Sequence, residues 1–130
     1  MSSGLPRRAE RRRAWIAGVW LLALVAGAAA SGCATSGAIH AGQQAEKLQD
    51  YDRAVVEYTK ALRADPTNLE ARRSLDRAKL RAAEAHYQRG RRLTAAFKFE
   101  EALVEYQVAS ELNPTRADID RELRSTRNSL

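Results

Sequence analysis

The chain contains one stretch of sequence twice, and its first copy reads YDRAVVEYTKALRADP over residues 51–66. The second copy, over residues 99–114, reads FEEALVEYQVASELNP. Both copies place an aromatic residue, Ala, Tyr, Ala and Pro at the same spacings, and we call the separation between position 51 and position 99 the repeat period. An internal repeat at a fixed period indicates an array of similar structural units, so this repeat decides the fold.

The spacing inside each copy predicts a helix that packs along one narrow stripe. Ala54, Tyr58 and Ala61 follow one another at i, i+4 and i+7, which places them on one face of an α-helix. Small Ala side chains let a neighbouring helix come close, and the Tyr fills the angle where the two helices diverge. The second copy repeats this stripe as Ala102, Tyr106 and Ala109.

A proline ends each of these predicted helices, and a glycine precedes each of them at the same offset. Pro66 and Pro114 lack an amide hydrogen and disfavour the helical state in the residue before them. Gly42 and Gly90 lie in the segments that precede the two stretches. We therefore expect each stretch to be the second helix of a helix–turn–helix pair.

These residues resemble the tetratricopeptide repeat, a helix–turn–helix module of about 34 residues. In the family's terms the two glycines match the small residue of the first helix, and the Ala–Tyr–Ala stripes match the second helix. The prolines match the terminating proline. The resemblance covers roughly residues 35–114, and it departs from the family where Ala38 and His86 replace the Trp that opens the first helix.

The resemblance implies an all-α fold with two antiparallel helix–turn–helix repeats over residues 39–114. The repeat period is longer than the family's module by about four helical turns. From residue 69 to about 96 good helix formers dominate, with Gly90 as the exception. We therefore expect one elongated middle helix, either straight or broken near Gly90. Residues 115–130 should form a C-terminal helix that caps the array or continues it in a longer protein.

Residues 1–32 have the pattern of an export signal. Five arginines within residues 7–13 precede an uncharged run over residues 14–30, and small residues follow directly before Cys33. The position of this cysteine resembles that of a bacterial lipoprotein signal. The resemblance implies that residues 1–32 are removed and that Cys33 carries fatty acyl chains such as palmitate, with residues 33–38 as a lipidated tether.

The export signal also determines how the charge is interpreted. The whole chain has a net charge of +6, but without residues 1–32 it keeps 17 basic and 15 acidic residues, a net charge of +2. A basic nucleic-acid-binding protein is therefore not indicated. Because Ala34 follows the cysteine, the resemblance favours the periplasmic face of the outer membrane. The alternative is an inner-membrane anchor over residues 14–30, although this run is at the short limit for a membrane-spanning helix.

The sequence shows no catalytic or metal-ligating pattern. His40 and His86 are the only histidines, and neither has Cys, Asp or Glu at metal-ligand spacing. Cys33 is the only cysteine, so the chain cannot form an intrachain disulfide. We expect no enzymatic activity, no cofactor and no metal.

Protein binding is the function that the resemblance implies. In tetratricopeptide arrays the first helices of the pairs line the concave surface, which would place five residues opposite a partner: Ile39, Gln43, Lys47, Tyr87 and Arg91. The Arg89–Arg92 cluster is a second candidate, for acidic groups.

The functional hypothesis is an outer-membrane lipoprotein that acts as a protein-interaction scaffold. Such a chain resembles the pilotin-type lipoproteins that help secretin pores of pilus and type II secretion systems, and also the N-terminal region of longer secretin-like proteins. The alternatives are a general cell-envelope assembly adaptor and an intracellular basic protein with an uncleaved N-terminal membrane anchor.

Overall fold

The computed structural model describes residues 33–130, and over this range the chain forms five α-helices and no β-strand. Helix α1 covers residues 33–47. The helices that follow are α2 (Tyr51–Ala64), α3 (Leu69–Ala95), α4 (Phe99–Leu112) and α5 (Ala117–Arg127). The predicted all-α fold of antiparallel helix pairs is confirmed. The export signal predicted for residues 1–32 lies outside the described residues.

The elongated middle helix predicted between the repeats is α3. It has 27 residues and runs through Gly90 without a break, for a length of about 40 Å. Its first half joins a core cluster with α1 and α2, to which it contributes Ala71, Leu75 and Ala78. Its second half contributes Tyr87 to a separate cluster with α4 and α5. One helix therefore belongs to both repeats.

The structural period equals the sequence period. Helices α2 and α4 begin at Tyr51 and Phe99, and α3 and α5 begin at Leu69 and Ala117, so the repeat period separates the members of both pairs. Helices α1 and α3 end at positions 47 and 95, with the same separation. By this offset α1 is the counterpart of the second half of α3, and α5 is the counterpart of its first half.

The tether predicted over residues 33–38 is wrong, because this segment is already helical. Thr35 is 5% exposed and Ile39 is 8% exposed. With Gly42 they lie at i, i+4 and i+7, so the buried stripe of α1 begins one turn earlier than Ile39. The small uncharged residues of this segment suit a close helix contact as well as they suit a linker.

Each repeat is held together by a tyrosine ring that lies against a glycine of the preceding helix. A Cβ atom on Gly42 would lie 2.6 Å from Cε1 of Tyr58, and one on Gly90 would lie 2.6 Å from Cε1 of Tyr106. Both rings are fully buried. Because only a hydrogen atom fits between the ring and the helix backbone, glycine is required at both places.

The hydroxyl groups of the two rings also occupy equivalent positions. Tyr58 Oη donates a hydrogen bond to Glu46 Oε2 at 2.9 Å. Tyr106 Oη lies 3.3 Å from Thr94 Oγ1. Glu46 and Thr94 are themselves separated by the repeat period, so each ring is fixed both by its contact with the glycine and by its hydroxyl group. The alanines that flank the rings on the same stripes are also fully buried: Ala54, Ala61, Ala102 and Ala109.

The turns after α1 and α3 have the same backbone. Gln49 and Phe97 have φ angles of 58° and 59°, in the left-handed region that usually takes glycine after a helix. Asp50 N donates to Ala45 O, and Lys98 N donates to Leu93 O, both at 2.9 Å. These bonds close a Schellman turn, which reverses the chain into the next helix. A bulky Phe in this conformation is uncommon.

The ends of α2 and α4 are also equivalent, and the prolines lie just beyond them. α2 ends at Ala64 and α4 at Leu112, so Pro66 and Pro114 follow two positions later in exposed turns. Thr67 and Thr115 each donate a side-chain hydrogen bond two positions back. After the second of these turns α5 packs on α4, with Ile119 fully buried.

The glycine contacts generate a prediction with a control inside the same chain. Replacing Gly90 by Ala should destabilise the protein by about 1–2 kcal/mol, because overpacking against the buried Tyr106 ring exceeds the gain in helix propensity. Gly37 lies in α1, and no atom of residues 33–130 lies within 4 Å of its would-be Cβ. Gly37→Ala should therefore stabilise by up to about 1 kcal/mol. Urea unfolding of both variants measures this, and equal stabilisation by the two would contradict the ring–glycine contact.

Candidate interaction surfaces

A polar groove between α1 and α3 brings together two of the residues predicted to bind a partner. Gln43 and Lys47 lie one turn apart on α1, and Arg77 and Arg81 line the opposite wall on α3, with Glu46 between them. Gln43 Nε2 contacts Glu70 Oε1 at 3.4 Å. The groove therefore has three basic side chains and one carboxylate along its walls.

Glu46 organises this groove. Its carboxylate accepts hydrogen bonds from Arg77 Nε and Nη2, both at 3.3 Å, in addition to the one from Tyr58. The hydrogen bond to Glu46 raises the pKa of Arg77, and burial is the main reason that the pKa of Tyr58 is raised. Lys47 makes no ion pair within residues 33–130 and is exposed. It is the positive charge in this groove with which an acidic ligand can pair without breaking an existing contact.

The assignments of Ile39 and Tyr87 to a free binding surface are wrong. Each is 8% exposed and belongs to the protein's own core. The Tyr87 ring lies 5.9 Å from that of Tyr106, and the Arg116 guanidinium covers it at 4.7 Å. The resemblance to the tetratricopeptide repeat implies that these residues lie on the concave side, but Arg116, in the turn before α5, covers Tyr87.

The arginine cluster at 89–92 does not form one basic patch, because its members point to different partners. Arg89 lies 3.6 Å from Glu105 and 3.9 Å from Asp52. Arg91, which was predicted to face a partner, is exposed and lies 6.0 Å from the Tyr87 ring. Arg91 does not line the groove that contains Gln43 and Lys47.

His86 connects the two repeats, a role that local sequence spacing did not reveal. Its Nδ1 lies 2.7 Å from Glu105 Oε2 on α4, and its Nε2 lies 3.0 Å from Asp52 Oδ1 on α2. Carboxylates only accept hydrogen bonds, so each contact is a bond when the facing nitrogen carries a proton. Both partners come from other helices, far away along the chain, so no motif on α3 indicates them. The counterpart of His86 in the first repeat is Ala38.

Arg116 fastens the turn before α5 to α3. Its guanidinium contacts the carboxylates of Asp118 and Glu84 and covers the ring of Tyr87. A hydrogen bond from Gln88, and then one from Arg116, lowers the pKa of Glu84. A hydrogen bond from Arg116 lowers the pKa of Asp118. These contacts hold the start of α5 against α3 in the second repeat.

Neither a protein-family model nor a curated protein matches this chain. Among residues 33–130, no group of three or more His, Cys, Asp or Glu side chains is arranged to hold a metal ion. None of the helices in that range is both long and apolar enough to cross a membrane. Cys33 is exposed at the start of the described range.

The bridging role of His86 predicts a specific loss of stability. His86→Ala should destabilise the protein by about 1–3 kcal/mol, because Asp52 and Glu105 both lose their contact with the imidazole and keep only the longer contacts with Arg89. His40 is exposed on α1, and His40→Ala should change stability by less than about 0.5 kcal/mol. Equal urea unfolding midpoints for the two variants would contradict the bridge.

The lowered carboxyl pKa values predict a dependence on pH. A depressed folded-state pKa contributes stability above the ordinary value of about 4, and this contribution is lost as the pH falls. Arg116→Gln should therefore cost about 1 kcal/mol at pH 7, and less at pH 3, because the contribution of the lowered carboxyl pKa values is partly lost below about pH 4. Arg121→Gln, on the exposed side of α5, makes the same charge change as a control. The prediction is contradicted if the difference in unfolding free energy between Arg116→Gln and Arg121→Gln is the same at pH 7 and at pH 3.

Proposed function

We propose that this protein is an exported, lipid-anchored helical-repeat scaffold that binds another protein at the periplasmic face of the outer membrane. The observation that carries the binding role is the groove between α1 and α3, where Gln43 and the exposed Lys47 lie beside the fixed Glu46–Arg77 pair. An exposed cation beside a hydrogen-bonded ion pair suits recognition of an acidic or polar segment.

The anchoring role rests on the sequence before Cys33 and on the exposure of that cysteine. Two or more acyl chains hold a protein firmly to a membrane, whereas a single chain binds it only marginally. Because α1 is helical from residue 33, an acylated Cys33 would lie about 14 Å along the helix from Gly42. The repeats would then lie next to the membrane surface.

The narrower proposal is that the bound protein is a secretin of a pilus or type II secretion system. It rests on the resemblance of a lipid-anchored repeat to pilotin-type lipoproteins and to the N-terminal regions of secretin-like proteins. No cofactor, metal or reaction enters this proposal, because the protein's role is to hold its partner at the membrane.

The anchor is tested by labelling the full-length chain with palmitate in a bacterium that has two membranes. Wild-type protein should incorporate label into a mature chain that lacks residues 1–32, and Cys33→Ser should lose all of it, because the chain has no other cysteine. In a matched control, Cys33→Ser with Ser129→Cys restores a thiol outside the signal and should stay unlabelled. A labelled control, or a mature protein that begins at Met1, would contradict the anchor.

The partner is tested by cross-linked capture from cell envelopes, followed by identification of what is captured. We expect a secretin with the wild-type chain and an at least roughly tenfold lower yield with Lys47→Glu. Lys60→Glu makes the same charge change on an exposed residue of α2, outside the groove, and should leave the yield unchanged. Equal capture by both variants would contradict the groove as the binding surface. Capture of a different envelope protein would contradict a secretin as the partner.

A further inference from the structure

The turn between α2 and α3, residues 65–68, lies at the same end of the first repeat as Cys33. Helices α1 and α2 are joined by a three-residue turn and run antiparallel, with Gly42 of α1 against the Tyr58 ring of α2. From this contact Cys33 lies about 14 Å back along α1. The end of α2, at Ala64, lies about 9 Å onward along α2, which is the same direction.

This end of the repeat exposes an apolar side chain among arginines. Leu69, the first residue of α3, is 64% exposed, and Arg72 and Arg73 follow it one turn later on the same side of the helix. Arg72 Nη2 also donates a hydrogen bond to Pro66 O in the turn, at 3.0 Å. Arg63 is exposed in the last turn of α2. We call Arg63, Leu69, Arg72 and Arg73 the anchor-side surface.

The three arginines of the anchor-side surface are free to meet an anionic partner, because none of them makes an ion pair within residues 33–130. The two neighbouring carboxylates are engaged in the fold. Asp65 accepts hydrogen bonds from Thr67 Oγ1 at 2.8 Å and from Asn68 Nδ2 at 3.3 Å. Glu70 accepts one from Gln43 at 3.4 Å. The second repeat packs on the first without covering this surface, because the surface lies at the helix ends.

The equivalent surface of the second repeat has the opposite character. The repeat period replaces three of the four residues, by Glu111, Ala117 and Asp120. Residues 63–73 carry three basic and two acidic residues, a net charge of +1, and residues 111–121 carry two basic and three acidic residues, a net charge of −1. Both segments form the same helix–turn–helix backbone, so the fold does not require arginines or an exposed leucine beside Cys33.

We propose that the anchor-side surface lies on a bilayer that contains anionic phospholipids, with Leu69 among the headgroups and the arginines next to their phosphates. This inference deepens the proposed function and rests on it for the attachment of the chain to a membrane at residue 33. It holds whether that attachment is an acylated Cys33 or an uncleaved anchor over residues 14–30. One leucine and three arginines bind a membrane only weakly by themselves, but attachment at residue 33 makes their contact intramolecular.

The contact would orient the protein on the membrane. The start of α1, the end of α2 and the start of α3 would all meet the bilayer, so the three helices would stand away from it. Lys47 lies about 20 Å along α1 from Cys33. The groove between α1 and α3 would therefore be held above the headgroups and open to its protein partner.

The test uses a tryptophan as a fluorescent reporter, because residues 33–130 contain none. Leu69→Trp labels the anchor-side surface, and Ala117→Trp is the matched reporter at the equivalent exposed position of the second repeat. Trp15→Phe and Trp20→Phe keep each reporter unique in the full-length chain. The protein is isolated from membranes and reconstituted in vesicles of phosphatidylethanolamine and phosphatidylglycerol. Acyl chains brominated next to the headgroups should quench Leu69→Trp at least roughly twofold more strongly than Ala117→Trp.

The role of the charges is tested in the Leu69→Trp protein. Arg72→Glu with Arg73→Glu should remove most of the quenching, and so should vesicles of phosphatidylcholine alone, which carry no net charge. Arg121→Glu with Arg124→Glu makes the same charge change on exposed residues of α5 and should leave the quenching unchanged.

Equal quenching of the Leu69→Trp and Ala117→Trp proteins would overturn the proposal. So would equal effects of the two double variants, both with wild-type circular dichroism, or equal quenching in phosphatidylcholine and phosphatidylglycerol vesicles. If the palmitate test finds no lipid on Cys33, its exposed thiol can be coupled to a maleimide-bearing lipid in the same vesicles. The membrane contact is then measured even where the proposed lipid anchor has failed, so the two failures are distinguishable.

Discussion

The contact between a buried tyrosine ring and a bare helix backbone determines how closely the helices of each repeat approach. Tyr58 and Tyr106 lie so close to Gly42 and Gly90 that a methyl group would overlap the rings. The surrounding alanines bury little area, and each therefore contributes little hydrophobic energy. The ring is the largest side chain of each buried stripe, and the glycine is what allows its close contact with the preceding helix. The two repeats share this pair even though most of their surface residues differ.

Regular features of the fold follow from the sequence because they arise from local spacing. The Ala–Tyr–Ala stripes, the terminating prolines and the unbroken run of good helix formers correctly predicted α2, α4 and the long α3. The helical state of residues 33–38 did not follow, because Ser, Thr, Gly and Ala are equally usual in linkers. Thr35 and Ile39 are recognisable as buried residues of a helix only once the packing against α2 is known.

The candidate interaction surfaces are harder to predict from the sequence, because they depend on residues far apart in the chain. Gln43 and Lys47 line a groove, but its other wall comes from α3. Tyr87 is lost to the core because Arg116, from the turn before α5, covers it. Local spacing predicts no partner for His86, because its two carboxylates come from other helices. The repeat period aligns His86 with Ala38 of the first repeat. It therefore marks His86 as a position where the two repeats differ.

The unbroken α3 has a mechanical consequence. In an array of separate short helices, each junction between modules is a loop that can act as a hinge. Here the junction between the two modules lies inside a single helix of 27 residues, further braced by the His86 bridge. A pull applied near residue 33 would pass along α1 and α2 into this rod and reach α4 without crossing a flexible joint at the module boundary. Such a chain would behave as a stiff spacer, with a nearly constant distance between its two repeats.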